Sequence, residues 1–183
     1  LSVEKLFHPF QPFILGQKFI GAKIARKFGI KLVFYGENEA EYGNPINTTL
    51  TPTRNSKFFT YDKLKDIYLA GFNYRDLVGK FKISPKDLET YLPDNEQDII
   101  KAKVQVHYLG YYLKWHPQDC YYYTVKNSNF QISPERTPGT YSRYNSIDDK
   151  IDDLHYYTTG IKFGIGRATY DAAQEIRSGD INR

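Results

Sequence analysis

The residues with the most chemical potential lie directly after a short apolar run. Residues 32–35 are apolar, Gly36 ends the run, and a dense polar segment follows. Apolar runs that end at glycine are typical of buried strands, and polar loops after such strands build sites at the carboxyl edge of open α/β sheets. These groups could bind a nucleotide ribose or a metal, or position an attacking amine; a solvated turn is the alternative. The candidate residues are Glu37, Asn38, Glu41, Tyr42 and Gly43.

A second group of reactive side chains is predicted on one helix. Asp148, Asp152 and His155 have an i, i+4, i+7 spacing, which places them on one helical face. Two carboxylates and an imidazole could bind a divalent cation or carry out acid–base chemistry. An apolar stripe that includes Ile151 and Leu154 supports the alternative, a packed histidine with acids that stabilise the helix start. The roles of Asp148 and Asp152 therefore stay open.

Two further patterns predict contacts with anions. Glycines beside an arginine at a helix start offer free N–H groups and a fork of donors, although a plain turn between helices is the alternative. This pattern comprises Lys162, Gly164, Gly166 and Arg167. The second pattern is Gln17-Lys18, where a lysine at a predicted helix start opposes the helix dipole.

Other polar residues are better explained by structure. Glu135, Arg136, Tyr141 and Ser142 crowd a loop rich in proline and glycine, which favours a surface loop with local contacts. The single cysteine, Cys120, lies among tyrosines in a predicted helix, where packing is the expected role. The alternative, a ligand of a metal cluster, would require further cysteines from outside this sequence.

The elements that must position these residues follow from periodicity and capping signals. A helix, a glycine, a buried strand and a polar loop form half of a βαβ unit, whose preceding strand is not in the sequence. Long loops are predicted over 43–59 and 127–145. Strands are predicted over 31–36 and 103–112, and helices over 18–28, 61–70, 74–80, from Ser84 to before Pro93, and over 117–126, 146–159 and 167–177.

Composition limits the class of protein. The chain has 183 residues, 40% of them hydrophobic, with 17 tyrosines and 12 phenylalanines. No apolar run approaches the ~20 residues of a membrane helix. The net charge is +4 without a run of Lys and Arg, which argues against nucleic acid binding. One cysteine excludes an intramolecular disulfide and favours a cytoplasmic protein. A chain without Met that starts at Leu1 predicts a fragment.

Several segments together resemble the N-acetyl sugar amidotransferases of the PP-loop ATP-pyrophosphatase superfamily. The resemblance covers nearly the whole chain and is strongest in its longest segment. The segments are PFILGQK, FYGENEAEYGN, HYLGYYLKW and SPERTPGTYSRYNSIDDKIDDLHYYTTGIKFGIGRATYDAAQEIR. It implies an α/β fold in which 1–59 is the C-terminal part of a PP-loop (adenine-nucleotide α-hydrolase-like) domain and 60–183 is a mostly helical C-terminal region.

The resemblance also implies an activity. Such an enzyme converts a sugar's acetamido group to an acetamidino group, using ATP and Mg²⁺ for adenylation and ammonia from a glutaminase subunit. The products enter lipopolysaccharide (including O-antigen), capsule or flagellar glycans. The family's SGGxDS phosphate loop is missing from residues 1–183, so the chain alone is expected to be inactive.

The resemblance implies only that the YGEN loop belongs to the nucleotide and substrate site; the other roles are assigned from the chemistry of the residues and their spacing. The expected roles are catalysis for Glu37, Asn38 and Glu41, cofactor binding for Gly36, Lys162 and Arg167, and substrate binding for Gln17, Lys18, Tyr42 and His155. No metal ligand is assigned. The alternative is a non-catalytic module that binds a sugar nucleotide or a partner through its tyrosines. A nucleic-acid-binding role, as in related tRNA-thiolating enzymes, would require clustered Lys and Arg.

Overall fold

The chain folds into two units, Leu1–Lys114 and Trp115–Arg183. The computed structural model describes residues 1–36, 46–114 and 116–183. The N-terminal unit contains α1 (Ser2–Leu6), α2 (Gln11–Lys27), β1 (Leu32–Tyr35), α3 (Ile46–Thr49), β2 (Thr60–Tyr61), β3 (Tyr68–Leu69), β4 (Phe72–Asn73), α4 (Tyr74–Gly79), α5 (Pro85–Leu88), β5 (Asp94–Asn95), α6 (Glu96–Ala102) and β6 (Gln105–Tyr108). The C-terminal unit contains α7 (Pro117–Asn127), α8 (Asp152–Phe163) and α9 (Arg167–Ser178).

A parallel strand pair and the helix beneath it form the centre of the N-terminal unit. β1 and β6 pair from Leu32 with Gln105 to Tyr35 with Tyr108. α2 packs under this pair because Gly21 has no side chain; a Cβ there would lie 3.1 Å from Cγ1 of Val33. The buried cluster between helix and strands consists of Phe19, Ala22, Ala25, Phe59, Ile99, Val104 and Val106.

The outer edge of β6 is covered by the segment 52–54. The Arg54 amide donates to the Val106 carbonyl at 2.8 Å, and the Tyr108 amide donates to the Pro52 carbonyl at 3.2 Å. Among the described residues β1 pairs with β6 alone, so β1 is the other edge of this sheet. Leu32 and Phe34 alternate away from α2 and remain 44% and 49% exposed.

A second apolar cluster lies around a tight hairpin. β3 and β4 pair antiparallel through a two-residue turn, Ala70-Gly71, in which both residues have positive φ. Ile67, Leu69, Leu77 and Leu88 are buried in this cluster. β2 and β5 form a further parallel pair of two residues each.

The helix predicted over 61–70 is wrong. The structure has β2, a 3-10 turn at Leu64–Asp66 and β3 in that range. Ile67 and Leu69 are buried while Asp66 and Tyr68 are exposed, which is the period of a strand rather than of a helix. Gly71 belongs to the hairpin turn, with φ of 80°, and does not cap a helix.

The helix predicted to start at Ser146 is also wrong in its first turns. Ser146 has φ of 52°, a left-handed conformation that an N-cap does not adopt. Its hydroxyl instead pairs with the Tyr156 hydroxyl at 3.0 Å. α8 begins at Asp152, so Asp148 lies outside the helix and does not share a helical face with Asp152 and His155.

Most other predicted elements are confirmed with shifted ends. α2 begins seven residues before the predicted 18, because a proline in the first turn needs no N–H partner. The Ser84 hydroxyl accepts from the Asp87 amide at 3.1 Å, as its capping pattern predicted. α4, α7 and α9 agree with prediction to within one residue at either end.

The described chain mixes helices with three two-stranded sheets. The PP-loop assignment of its fold stays a prediction, as does a domain boundary between 59 and 60. The structure places both sides of that predicted boundary in one unit, because β1 pairs with β6. In the described part of the chain, no helix is both long and apolar enough to cross a bilayer.

The C-terminal unit buries polar side chains. Among its described residues the buried ones are His116, Thr137, Ser142, Thr158, Arg167 and Asp171. Hydrogen bonds satisfy several of them; the Thr137 amide donates to the Ser142 carbonyl at 3.0 Å, and the Thr140 hydroxyl donates to Asp171. Polar contacts between the irregular segment 128–151 and α9 therefore hold much of this unit together.

Candidate functional site

The carboxyl edge of the parallel pair is the best candidate site in the N-terminal unit. Because the strands are parallel, the ends of β1 and β6 lie at the same edge, and the rings of Tyr35 and Tyr108 stack with centroids 5.7 Å apart. Gly36 follows β1, and an added Cβ there would meet no atom of the described residues within 4 Å. The catalytic candidates Glu37, Asn38 and Glu41 and the substrate candidate Tyr42 lie outside the described residues.

A buried guanidinium lies beside this edge. Arg54 is 6% exposed, and its Nη1 donates to the Tyr108 hydroxyl. Its guanidinium lies 4.9 Å from the centroid of the Phe58 ring. A guanidinium is always charged and can donate several hydrogen bonds, so it places a fixed positive charge next to the strand ends.

An aromatic cluster covers the face of the sheet opposite α2. The His107 ring stacks on Tyr112 with an interplanar angle of 9° and meets the Phe34 ring edge-on. Nδ1 of His107 is 2.6 Å from the Tyr112 hydroxyl, and Nε2 is 3.2 Å from the Thr53 hydroxyl. Tyr112 is 52% exposed, so the cluster presents an aromatic surface on which a planar base or a sugar ring could stack.

Arg54 and His107 are not among the candidates that the sequence pattern predicts. Arg54 contacts Tyr108, which is 54 positions away in sequence, and His107 contacts Thr53 at the same separation as well as the nearby Tyr112. The available signals were weak: an arginine in a polar proline-containing loop, and a histidine at an alternating position of a predicted strand.

A cavity of about 670 Å³ lies elsewhere in the N-terminal unit. Leu15, Phe19 and Ile67 line its apolar part, and its volume is in the range of small-molecule sites. The polar lining includes Asp62, Asp66, Glu96 and Lys57. Three acids against one lysine favour a ligand rich in hydrogen-bond donors over an anion.

Gln17 and Lys18 were expected at the start of a helix, but the structure places them elsewhere. They belong to the interior of α2, so the argument from an opposed helix dipole is wrong. Their backbone carbonyls accept from the Tyr35 hydroxyl at 2.8 and 3.1 Å, which ties α2 to the end of β1. Their predicted role in substrate binding stays a prediction.

Arg167 is a buried structural residue of the C-terminal unit. It donates from Nη1 to the Pro138 carbonyl at 3.1 Å and from Nη2 to the Asn145 carbonyl at 3.0 Å. Its guanidinium also lies 4.3 Å from the Tyr156 ring centroid. These acceptors favour positioning of the segment 128–151 over an open anion cradle.

The glycines before α9 also have structural roles. Gly164 adopts φ of 68° and ends α8, while Gly166 precedes α9 in an extended conformation. The Ala168 amide at the start of α9 already donates to the Gly139 carbonyl at 2.9 Å. Lys162 is exposed, with its ammonium 5.4 Å from the Phe163 ring centroid. Phosphate binding by Lys162 and Arg167 stays a prediction.

His155 is half-buried on α8, and burial lowers the pKa of its imidazole, opposed by the charge of Asp152. In the part of the chain that the structure describes, no three His, Cys, Asp or Glu side chains are grouped to hold a metal ion.

Glu135, Arg136 and Tyr141 are exposed, as the surface-loop interpretation predicted, but Ser142 of the same group is buried. Cys120 is exposed, so the expected packing role is wrong.

Sequence reasoning also missed His116. Its imidazole is 6% exposed, with Nδ1 2.5 Å from an Asp119 carboxylate oxygen and Nε2 2.6 Å from an Asp180 oxygen. Asp119 and then Asp180 raise the pKa of this histidine above its usual value, against the effect of burial. The imidazole joins the start of α7 to the chain beyond α9.

Two tyrosines near α9 are held in the protonated state. Burial, reinforced by Glu175, raises the pKa of Tyr141 and of Tyr144 to about 12. The Tyr144 ring stacks on Tyr121 at 4.4 Å, and its hydroxyl donates to Gln118 at 2.8 Å. These tyrosines are hydrogen-bond donors and packing residues rather than bases at neutral pH.

Residues 138–183 match a family model described as "LPS biosynthesis protein WbpG-like, C-terminal domain". The match includes α8, α9 and residues 138–151, whose Pro138 and Asn145 carbonyls accept hydrogen bonds from Arg167. It implies a role in lipopolysaccharide biosynthesis. No curated protein matches the chain.

Proposed function

We propose that this chain is part of an ATP-dependent N-acetyl sugar amidotransferase of the PP-loop superfamily. The match of residues 138–183 to a lipopolysaccharide-biosynthesis domain is the observation that carries the proposal. The sequence resemblance supplies the reaction: an acetamido group becomes an acetamidino group in a cytoplasmic step of glycan synthesis. The parallel pair supports it, because its carboxyl edge leads into the acidic segment 37–45.

The chemistry requires activation of a poor electrophile. ATP supplies an adenylyl group to the acetamido oxygen, which turns that oxygen into a leaving group, and pyrophosphate is released. Ammonia, from a glutaminase subunit, then attacks the amide carbon, and AMP leaves. The protein must hold the acetamido group in line with the α-phosphate and keep water away from the activated carbon.

The residues at the carboxyl edge suit these tasks. The buried Arg54 guanidinium offers positive charge for phosphate oxygens, and the exposed ring of Tyr112 offers a stacking surface for a planar group. Glu37, Asn38 and Glu41 are our candidates for orienting the substrate or ammonia. For Mg²⁺ the described residues offer no group of three His, Cys, Asp or Glu side chains that could hold the ion.

A non-catalytic module that binds a sugar nucleotide is the second candidate. The aromatic cluster of Phe34, His107 and Tyr112 favours it, because such a surface binds rings without any catalytic group. Binding of a sugar nucleotide without turnover would support the module and exclude the enzyme.

The test uses the complete protein encoded by the gene that contains this chain. We expect it to form AMP and pyrophosphate from ATP with ammonium and a UDP-linked N-acetyl sugar, and mass spectrometry to detect the amidine. Glu37→Gln should lower turnover about 100-fold or more if Glu37 orients the reacting groups. Glu39→Gln in the same segment is the matched control and should keep most of the activity.

One result would overturn the proposed activity, and another would overturn the proposed role of Glu37. Absence of AMP formation with every N-acetyl sugar nucleotide tried would remove the amidotransferase activity. Near-normal turnover of Glu37→Gln would remove Glu37 from the site while leaving the reaction in place.

A further inference from the structure

The two turns that lead into the parallel strands lie together at the amino edge of the sheet. The turn from α2 into β1 and the turn from α6 into β6 meet there because the strands are parallel and adjacent. Nζ of Lys31 donates to the Ala102 carbonyl at 2.7 Å, and the Gln105 amide donates to the Lys31 carbonyl at 2.8 Å. Residues 26–31 and 100–103 are called the amino-edge surface below.

The amino-edge surface is basic. Arg26 pairs with Asp94 at 2.6 Å, and Asp94 and then Asp98 raise the pKa of its guanidinium, so these acids offset its charge. Neither of the two segments contains an acidic residue of its own. The chain has no run of Lys and Arg, because these charges come together only when β1 pairs with β6. The charged side chains of the surface are all positive and all exposed: Arg26, Lys27, Lys31, Lys101 and Lys103.

Large apolar side chains lie exposed among these lysines. Phe28 and Ile30, in the turn after α2, are 68% and 49% exposed, and Ile100 of α6 is 52% exposed. The Lys27 ammonium lies 5.9 Å from the centroid of the Phe28 ring. Helix dipoles explain lysines at the ends of α2 and α6, but they do not explain apolar side chains in water. One exposed apolar residue is ordinary, whereas three in two adjoining turns form a patch that marks an interaction surface.

Charge and apolar exposure together indicate the kind of partner. Basic residues beside exposed Phe and Ile are typical of surfaces that bind anionic bilayers, where apolar groups enter the headgroup boundary and lysines contact phosphates. A nucleic acid would also attract the lysines, and Phe28 is able to stack on a base. Ile30 and Ile100 have no such use, because bases stack on aromatic rings. The patch therefore favours a bilayer over a nucleic acid.

We propose that the amino-edge surface docks on the anionic surface of a lipid bilayer. Its four lysines contact headgroup phosphates, and Phe28 and Ile30 enter the boundary beneath them. The candidate site lies at the opposite ends of the same four-residue strands, roughly 10 Å away at ~3.3 Å per residue. A docked chain therefore keeps its carboxyl edge open to solution. Docking requires no catalytic step, so it does not depend on the proposed activity.

The expected binding is reversible and sensitive to salt. Each lysine near an anionic membrane surface contributes roughly a fivefold gain in affinity. Salt screens these contacts because the lysines are exposed, so affinity should fall as the ionic strength rises.

Flotation of the 183-residue chain with lipid vesicles tests the docking. We expect the chain to float with phosphatidylcholine vesicles that contain about 30% phosphatidylglycerol, and to stay behind with phosphatidylcholine alone, whose surface carries no net charge. Lys27→Glu combined with Lys101→Glu should lower the affinity for the anionic vesicles at least about 25-fold. Lys65→Glu combined with Lys86→Glu makes the same change in net charge at exposed residues outside the surface, and this control should lower it less than about fivefold.

A second pair of variants tests the apolar contribution. Phe28→Ala should lower the affinity for the anionic vesicles about tenfold, because the ring leaves water on docking. Phe163→Ala is the matched control, since its ring is 65% exposed and lies 5.4 Å from the Lys162 ammonium, and the affinity should not change.

Three results would overturn the proposal. The first is a wild-type chain that stays behind with both kinds of vesicle, and the second is a double lysine variant that floats like wild type. The third is loss of flotation in the lysine variant while Phe28→Ala floats like wild type, since this pattern identifies a surface for a soluble polyanion. Binding of a duplex oligonucleotide that ignores Phe28→Ala would then confirm a nucleic acid as the occupant.

Discussion

At the scale of single residues, His116 shows how the C-terminal unit uses buried charge. Its imidazole contacts one carboxylate three positions away and another 64 positions away. The protonated ring lies within ion-pair distance of both carboxylates, whose charges offset the cost of burying a cation. The folded state therefore holds the proton on His116 more tightly than the unfolded chain does.

This linkage predicts how stability depends on pH. Since the folded-state pKa is raised, the contribution of His116 is fully present below the unfolded value of about 6.5 and is lost as pH rises through the folded-state pKa. At pH 6, His116→Gln should cost about 1–2 kcal/mol of unfolding free energy, a modest value because Asp119 is 68% exposed. Urea titrations followed by fluorescence of the single tryptophan, Trp115, measure this cost.

The cost of His116→Gln should shrink at pH 8.5. His155→Gln serves as the control, because burial lowers the pKa of His155 and its contribution is lost on acidification instead. A cost of His116→Gln that is constant from pH 6 to pH 8.5 would show that the ring acts by packing alone.

At the scale of elements, the hairpin of β3 and β4 depends on one glycine. Gly71 has φ of 80°, and a Cβ there would lie 2.5 Å from Cγ of Lys5 and 3.0 Å from Cδ2 of Leu6. The turn therefore needs glycine for its backbone and also for the close approach of α1.

Gly71→Ala should lower the unfolding free energy by about 1–3 kcal/mol. Gly79→Ala is the matched control: an added Cβ meets nothing within 4 Å at the last residue of α4, so stability should hold or rise slightly. Thermal and urea unfolding measure both variants. Equal effects of the two substitutions would contradict the role of the turn.

The sequence predicted those elements whose signals are local. Ser84 caps its own helix and Pro117 opens α7, and each of these signals acts within one turn. The helix predicted over 61–70 is wrong because Gly71 was interpreted as the glycine that ends a helix. Its positive φ instead belongs to the hairpin turn between β3 and β4. The prediction also failed at Ser146, whose hydroxyl pairs with a residue ten positions later.

The candidate site was less predictable because distant residues build it. The acidic segment after β1 was selected from its local pattern. Arg54 and His107 obtain their partners through the pairing of segment 52–54 with β6, which no local signal encodes. Arg167 was selected for its charge. In the structure its guanidinium donates hydrogen bonds to the carbonyls of Asn145 and Pro138, which are 22 and 29 positions away in sequence.

At the scale of the whole molecule, the two units are stabilised in different ways. Within the described chain the buried hydrophobic side chains lie between Phe19 and Tyr108, in the N-terminal unit. The C-terminal unit relies on hydrogen bonds and ion pairs of buried polar groups. Apolar burial contributes about 25 cal/mol per Å², whereas a hydrogen bond contributes about 1 kcal/mol net, so the C-terminal unit should be the less stable of the two.

Hydrogen exchange measured by mass spectrometry tests this order of stability. Amides of α8 and α9 should exchange at least about tenfold faster than those of α2 and β6, which corresponds to about 1.4 kcal/mol of opening free energy. Exchange at equal rates in α2, β6, α8 and α9 would contradict this order of stability. Buried polar groups would then stabilise the C-terminal unit as strongly as the apolar clusters stabilise the N-terminal unit.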